Sequence, residues 1–183
     1  MTLPEAKERA VQLRDLIANY SYEYHVLDSS SVSDAVYDSL FGELKELEDK
    51  FPQLITSDSP TQRVGSELKG GFVKVSHSSR MLSLNDAFNI TEVENWVNRI
   101  EKLLPNKVSE FFMDVKMDGL ACALVYQDGL FVQAITRGDS YIGEDVTNNV
   151  RTIKSVPLRL RENEKDSHFL KGRTEIRGEI IML

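Results

Sequence analysis

The sequence predicts an α+β chain, with an N-terminal helical hairpin followed by an antiparallel β-sheet domain that carries flanking helices. Three observations predict it. Over the first fifty positions apolar residues recur at spacings of three and four, the period of an amphipathic helix. Further along, short apolar runs are punctuated by Asp128-Gly129, a dipeptide suited to a tight hairpin turn. Between these regimes, Ser57-Asp58-Ser59-Pro60-Thr61-Gln62-Arg63-Val64-Gly65-Ser66 is rich in turn formers. The expected division is 1–68 for the helical part and 69–183 for the sheet part, with Lys69-Gly70-Gly71 as a hinge.

Composition narrows the classes open to the chain. It is 41% apolar and 28% charged, ordinary for a globular protein. No apolar run approaches the ~20 residues that span a bilayer, so no membrane partner is expected. Met1-Thr2-Leu3-Pro4-Glu5 lacks the features of a secretory signal, and a cytoplasmic location follows by default. The single cysteine, Cys122, excludes an internal disulfide and any multi-cysteine zinc site; between Ala121 and Ala123 it reads as a small core residue. A net charge of −7 argues against a free-standing duplex-DNA binder, which needs basic surface to displace counterions.

Taken in order, Thr2 and Glu5 have capping-box spacing and should open a helix carrying Leu13, Leu16, Ile17, Tyr20, Tyr24 and Leu27. After Asp28-Ser29-Ser30-Ser31, Ser33 can cap a second helix striped with Val36, Leu40, Leu44, Leu47 and Phe51 and stopped by Pro52. Tyr24 and His25 end the first helix, while Asp34, Tyr37 and Asp38 lie in the first turns of the second. Aromatic faces beside carboxylates suit a flat cationic ring. The same residues also suit helix-dipole complementation and seam packing, and both readings stay open.

Phe72-Val73-Lys74-Val75 reads as a strand, and His77 as a surface histidine in a serine-rich loop. Thr91 and Glu94 propose a second capping box, for a helix whose core face is Val93, Trp96, Val97, Ile100, Leu103 and Leu104, ending before Pro105. Leu120–Tyr126 and Leu130–Thr136 form the two arms of a hairpin about Asp128-Gly129. Gly143–Val150 is a short helix or turn, Val156–Leu160 an edge strand containing Pro157, and Glu162–Lys171 a solvated loop. A last strand runs from Thr174 to Leu183; ending inside an apolar strand suggests truncation.

The pattern centres on Met113-Asp114-Val115-Lys116-Met117-Asp118-Gly119. As a strand it would project Phe112, Asp114, Lys116 and Asp118 from one face. A lysine amine becomes a nucleophile once deprotonated. Half-deprotonation at pH 7 needs a shift of roughly 3.4 units, about 4.6 kcal/mol. Desolvation lowers a lysine pKa and the neighbouring carboxylates raise it, so a metal ion or a bound cation would have to offset them. A structural ion pair on a sheet face fits the same residues.

Lys116-Met117-Asp118-Gly119 matches the K-x-D-G signature of covalent nucleotidyltransferases. Around it stand Tyr24-His25, the Asp34/Tyr37/Asp38 set, Ser59-Pro60-Thr61-Gln62-Arg63-Val64-Gly65, Met81-Leu82-Ser83-Leu84, Thr136-Arg137-Gly138-Asp139, Gly143-Glu144-Asp145 and Glu175-Ile176-Arg177-Gly178-Glu179. In this order, and over essentially the whole chain, the sequence resembles the N-terminal part of bacterial NAD⁺-dependent DNA ligases. The resemblance implies a nicotinamide-mononucleotide-binding hairpin and the first part of an ATP-grasp-like adenylation domain. It also implies that Lys116 attacks the α-phosphate of NAD⁺, forming lysine–AMP and releasing nicotinamide mononucleotide. Asp118 would set the lysine and a Mg²⁺ ion. Arg137 and Glu179 would hold the ribose, Ser83 and Leu84 would line the adenine pocket, and Asp114 would reach the adenine edge. Tyr24, His25, Asp34, Tyr37 and Asp38 would hold the nicotinamide mononucleotide.

Three positions depart from the family pattern: Asp114 stands for glutamate, Ser140 for the glycine after Arg-Gly-Asp, and Ser33 for a helix-opening proline. The family's remaining lysine motifs, its oligonucleotide-binding domain, its zinc finger and its DNA-binding region should lie beyond Leu183. Nick sealing in replication and repair, zinc binding and contact with nicked duplex DNA are therefore expected of a longer polypeptide. A competing expectation for this chain alone is a non-catalytic module that binds NAD⁺ or nicotinamide mononucleotide.

Overall fold

The computed structural model describes residues 1–63, 71–104, 110–162 and 167–182. The expected hinge at Lys69-Gly70, the helix stop at Pro105 and the final Leu183 lie outside the described residues. Helices α1 (Leu3–His25) and α2 (Asp34–Lys50) form the expected hairpin. The predicted capping box forms, with Glu5 reaching back to the Thr2 amide at 2.7 Å. Ala6, Ala10, Leu13 and Ile17 of α1 meet Leu44 and Leu47 of α2 and Leu54 in a buried core. The alanines let the helices approach closely, and the bidentate Arg9–Glu43 pair, at 2.7 Å twice, ties their solvent side.

The second part is built on a three-stranded antiparallel sheet in the order β3-β2-β5: β2 is Leu120–Gln127, β3 Leu130–Thr136 and β5 Arg173–Ile180. Asp128 and Gly129 turn the hairpin, both with positive φ, as a type I′ turn requires. One face of the sheet carries Cys122, Tyr126, Phe131 and Ala134 onto Val146, Val150 of α4 (Thr147–Arg151) and Leu158, with Leu124 and Ile180 packed against them. Cys122 is a buried core residue, as expected. Across β2, Ala121 pairs with Glu179, Ala123 with Arg177 and Val125 with Glu175, so the opposite face presents one acid–base–acid row along β5. A smaller two-stranded sheet joins β1 (Lys74–Ser76) to β4 (Ile142–Glu144).

Several expectations need correction. The strand predicted through Phe112–Asp118 does not form; the sheet begins at Leu120. The β5 ladder ends with Ile180 opposite Leu120 and the β3 ladder with Thr136 opposite Cys122, so earlier residues have no partner in either. Asp114 instead accepts a hydrogen bond from the adjacent Val115 amide at 2.7 Å, a local bond that competes with strand pairing. Helix α3 (Ile90–Glu101) is capped by Asn89, whose Oδ1 accepts from the Glu92 amide at 3.0 Å; the box of Thr91 and Glu94 is displaced by a better cap two residues earlier. Its predicted core face is not buried: Trp96 is 42% exposed and Leu103 79%, and the Trp96 ring meets only that of Phe111, at 5.6 Å, among the described residues. Val156–Leu160 makes no strand but runs along the β3 edge, with one bridge from Arg159 to Leu130. Within the predicted solvated loop, Ser167–Leu170 forms a 3₁₀ turn, while 163–166 lie outside the described residues. No helix among the described residues is long and apolar enough to cross a membrane.

Candidate active site

Lys116 and Asp118 stand exposed just ahead of β2, at the end of the sheet away from the Asp128-Gly129 turn. Gly119 between them and the strand has a steric reason: a Cβ there would lie 2.2 Å from the Ile180 carbonyl oxygen. The bare glycine brings the motif against β5, and its amide donates to Glu179 Oε1 at 3.1 Å. A carboxylate 60 residues away is thereby fixed on the peptide that joins Asp118 to Gly119. Asp114 is exposed, its Oδ1 engaged with the Val115 amide.

Arg137 closes β3 on the same side. Its amide donates to Ala121 O at 2.9 Å, and its side chain is exposed. Gly138 has φ +55°, and a Cβ there would meet Ile142 O at 1.9 Å, so the turn accepts only glycine. Asp139 accepts from the Tyr141 and Ile142 amides, at 2.9 and 2.7 Å, and these bonds hold its carboxyl below the usual range. Ser140 adopts φ +82°. His77 is half-buried rather than a free surface histidine. Its Nε2 donates toward Thr136 O and Arg137 O, at 3.0 and 3.2 Å, because two carbonyls can only accept. Met81, its amide on Ser140 O, is buried; beyond it Ser83 and Leu84 are exposed.

The hairpin set is gathered at the mouth of α1 and α2. Tyr24 and His25 rings meet edge-on at 4.9 Å, with Tyr24 57% exposed. Asp34 and Asp38 are exposed on α2 and Tyr37 is half-buried between them in sequence. Burial raises the Tyr37 hydroxyl pKa, partly countered by the Arg63 charge and a hydrogen bond with Ser21. Burial lowers that of the His25 imidazole, and Lys154 and Arg63 push the same way, which favours the neutral ring.

The hairpin and its connector dock on the opposite end of the sheet from Lys116. Arg159 pairs with Asp58 at 2.7 Å, Arg151 donates to Ser57 O at 2.9 Å, and Arg161 donates to Asn19 while lying over the Tyr22 ring at 4.1 Å. A cleft of about 1010 Å³ runs along this seam, reaching Asp128 and Gly129. Since β2 alone spans roughly 23 Å, the seam and Lys116 are well separated. Among the described residues no hydrogen bond, ion pair or ring contact joins the hairpin set to Lys116, Asp118, Ser83, Leu84, Arg137 or Glu179.

Sequence reasoning missed the residues that hold these parts in place. Glu48, 2% exposed, accepts from Arg14 at 3.3 Å, from Ser59 Oγ at 2.7 Å and from Thr61 Oγ1. Its signal was legible, since it lies four residues after Leu44 on the apolar stripe. Arg63 donates to the carbonyls of Arg151, Ile153 and Val156, at 3.2, 2.9 and 2.9 Å. No local pattern reveals acceptors some ninety residues away.

A family model for the NAD-dependent DNA ligase adenylation domain matches residues 69–183, and one for the DNA ligase-like N-terminal NAD⁺-binding domain matches residues 3–65. The chain belongs to the NAD⁺-dependent DNA ligase family. The DNA ligase of Koribacter versatilis is 48% identical over 174 residues, which cover 95% of this chain and 26% of that protein. That of Thermomicrobium roseum is 48% identical over 179 residues (98% and 26%), and that of Coprothermobacter proteolyticus 46% over 183 (100% and 27%). The chain thus spans about a quarter of the length of these ligases and corresponds to their N-terminal NAD⁺-binding and adenylation regions. For a family ligase the site also calls for a test of Mg²⁺. Among the described residues no three His, Cys, Asp or Glu side chains group as metal ligands. Asp118 and Glu179, the latter bonded to the Gly119 amide, are carboxylates of the type that fits Mg²⁺ when substrate phosphates and water complete its shell.

Proposed function

We propose that this chain is the NAD⁺-binding and self-adenylating region of a DNA ligase, with a division near 68/69 into a nicotinamide-mononucleotide-binding hairpin and an adenylation domain. Lys116 Nζ, once deprotonated, attacks the α-phosphorus of NAD⁺. A P–N bond forms, the P–O bond to nicotinamide mononucleotide breaks, and the leaving phosphate takes the electron pair. Glu179 and Arg137 hold the ribose, Ser83 and Leu84 receive the adenine with Asp114 at its edge, and Asp118 orients the lysine. Asp118 and Glu179 would hold a Mg²⁺ ion, whose charge would neutralise the phosphates. Tyr24, His25, Asp34, Tyr37 and Asp38 grip the nicotinamide half and so align the leaving group, the positioning on which phosphoryl transfer depends. For one dinucleotide to touch both sets, the hairpin has to leave its seam on residues 151–161. Nick sealing on duplex DNA belongs to the longer polypeptide, in the cytoplasm.

The Glu179 bond to the Gly119 amide carries this reading, because it joins two separate family motifs beside Lys116. Mass spectrometry of the full-length protein after NAD⁺ and Mg²⁺ is expected to find AMP on Lys116 and none in Lys116→Ala. An adduct on another residue, or one that survives the substitution, overturns the reading.

A further inference from the structure

We propose that Arg177 is a positioning residue for the adenylyl half of the NAD⁺ site, acting through the loop 77–81; this rests on the reading that Ser83 and Leu84 receive adenine. Arg177 lies on the β5 row between Glu175 and Glu179, two residues before the carboxylate that meets Gly119. Its guanidinium leaves the sheet to hold the loop. Nη1 donates to Arg80 O at 2.9 Å, and Nη2 to Ser79 O at 2.8 Å and Ser79 Oγ at 2.7 Å. Nε donates to Glu175 Oε1 at 2.8 Å, which fixes the plane of the fork. Glu175 also accepts from Ser78 Oγ at 2.8 Å and from Arg173 at 2.9 Å, so Ser78, Ser79 and Arg80 are each tied to β5.

The far side of the loop is tied to the Arg137 turn. The His77 amide donates to Tyr141 O at 2.8 Å, the Met81 amide to Ser140 O at 3.0 Å, and the Arg80 guanidinium lies over the Tyr141 ring at 5.3 Å. Immediately beyond buried Met81, Leu82 is 75% exposed and Leu84 77%, with no described anchor of their own. The placement of Ser83 and Leu84 therefore depends on the clamp behind them, and Arg177 is the member of that clamp that also shares a strand with Glu179. Lysine cannot replace it fully, because one ammonium does not reproduce a planar fork bonded to two carbonyls and a carboxylate.

The test uses full-length protein, unsubstituted and as Arg177→Ala and Arg177→Lys. Three quantities are read: single-turnover adduct formation on Lys116 against NAD⁺ concentration, calorimetric binding of nicotinamide mononucleotide, and hydrogen exchange of amides 78–84. In Arg177→Ala the half-saturating NAD⁺ concentration is expected to rise roughly tenfold, as loss of several charge-assisted bonds implies. Its maximal rate constant should change less than about threefold and its mononucleotide affinity not at all, since only adenine placement is affected. Exchange at 78–84 should quicken, and Arg177→Lys should fall between; it also serves where the alanine variant does not fold. Unchanged exchange, or a fall in maximal rate with unchanged half-saturation, overturns the proposal. If the unsubstituted protein forms no adduct on Lys116, the functional reading falls instead, and the tether is then judged by exchange and by titration with adenosine, whose unchanged affinity in Arg177→Ala overturns it.

Discussion

A serine held at φ +82° stores strain that glycine would not. Ser140 keeps this conformation because its neighbours demand the turn: its amide donates to Arg137 O, and its carbonyl receives the Met81 amide. A left-handed residue with a Cβ costs on the order of 1–2 kcal/mol, part of which glycine returns to unfolded-chain entropy. Ser140→Gly should therefore raise stability by about 0.5–1 kcal/mol, read as a higher denaturation midpoint with unchanged slope. The departure from the family's glycine was visible in the sequence. The role of His77 was not, because its two carbonyl partners come from a strand end some sixty residues on.

At the scale of elements, the connector is held by a buried acid. Glu48→Ala removes the acceptor shared by Ser59 and Thr61 and leaves Arg14 with Leu54 O. Loss of a partner in a buried network of this kind costs about 2–4 kcal/mol, and chemical denaturation should show it. Arg14→Ala made with it should cost less than the sum of the two single changes. The helical pair was legible because its determinants are local: a period, the Thr2/Glu5 spacing and Pro52. The β2–β3 hairpin was legible for the same reason, through Asp128-Gly129. Where β2 begins was not, since it depends on the length of β5 rather than on residues 112–118. Of the candidate site, the residue types around Lys116 were readable, but the meeting of Glu179 with Gly119 follows from a sheet register that no window of sequence contains.

Across the whole molecule, alkaline pH should loosen the fold, and Tyr126 is the group that does most of it. Tyr126 is fully buried in the sheet core and donates its hydroxyl to Pro157 O at 2.9 Å; burial pushes its pKa from 10.0 to about 12. The folded state then holds the proton more tightly than the unfolded chain does. The stability this gives is complete below pH 10 and is lost as pH rises toward 12. At about 1.4 kcal/mol per unit, the fall should reach roughly 2–3 kcal/mol. Tyr126→Phe should flatten that limb while costing about 1 kcal/mol at neutral pH through the lost hydrogen bond.

The connector arginine bears on how far the polypeptide can be divided. A cut at the proposed 68/69 division leaves Arg63 with the helical part, yet the acceptors that satisfy it lie at positions 151, 153 and 156. A helical pair produced alone would carry an orphaned cation on the surface that once faced the sheet, and the sheet part alone would carry three bare carbonyls. Each half would turn to water polar groups that now bond one another, and mixing the severed halves should let them find each other again.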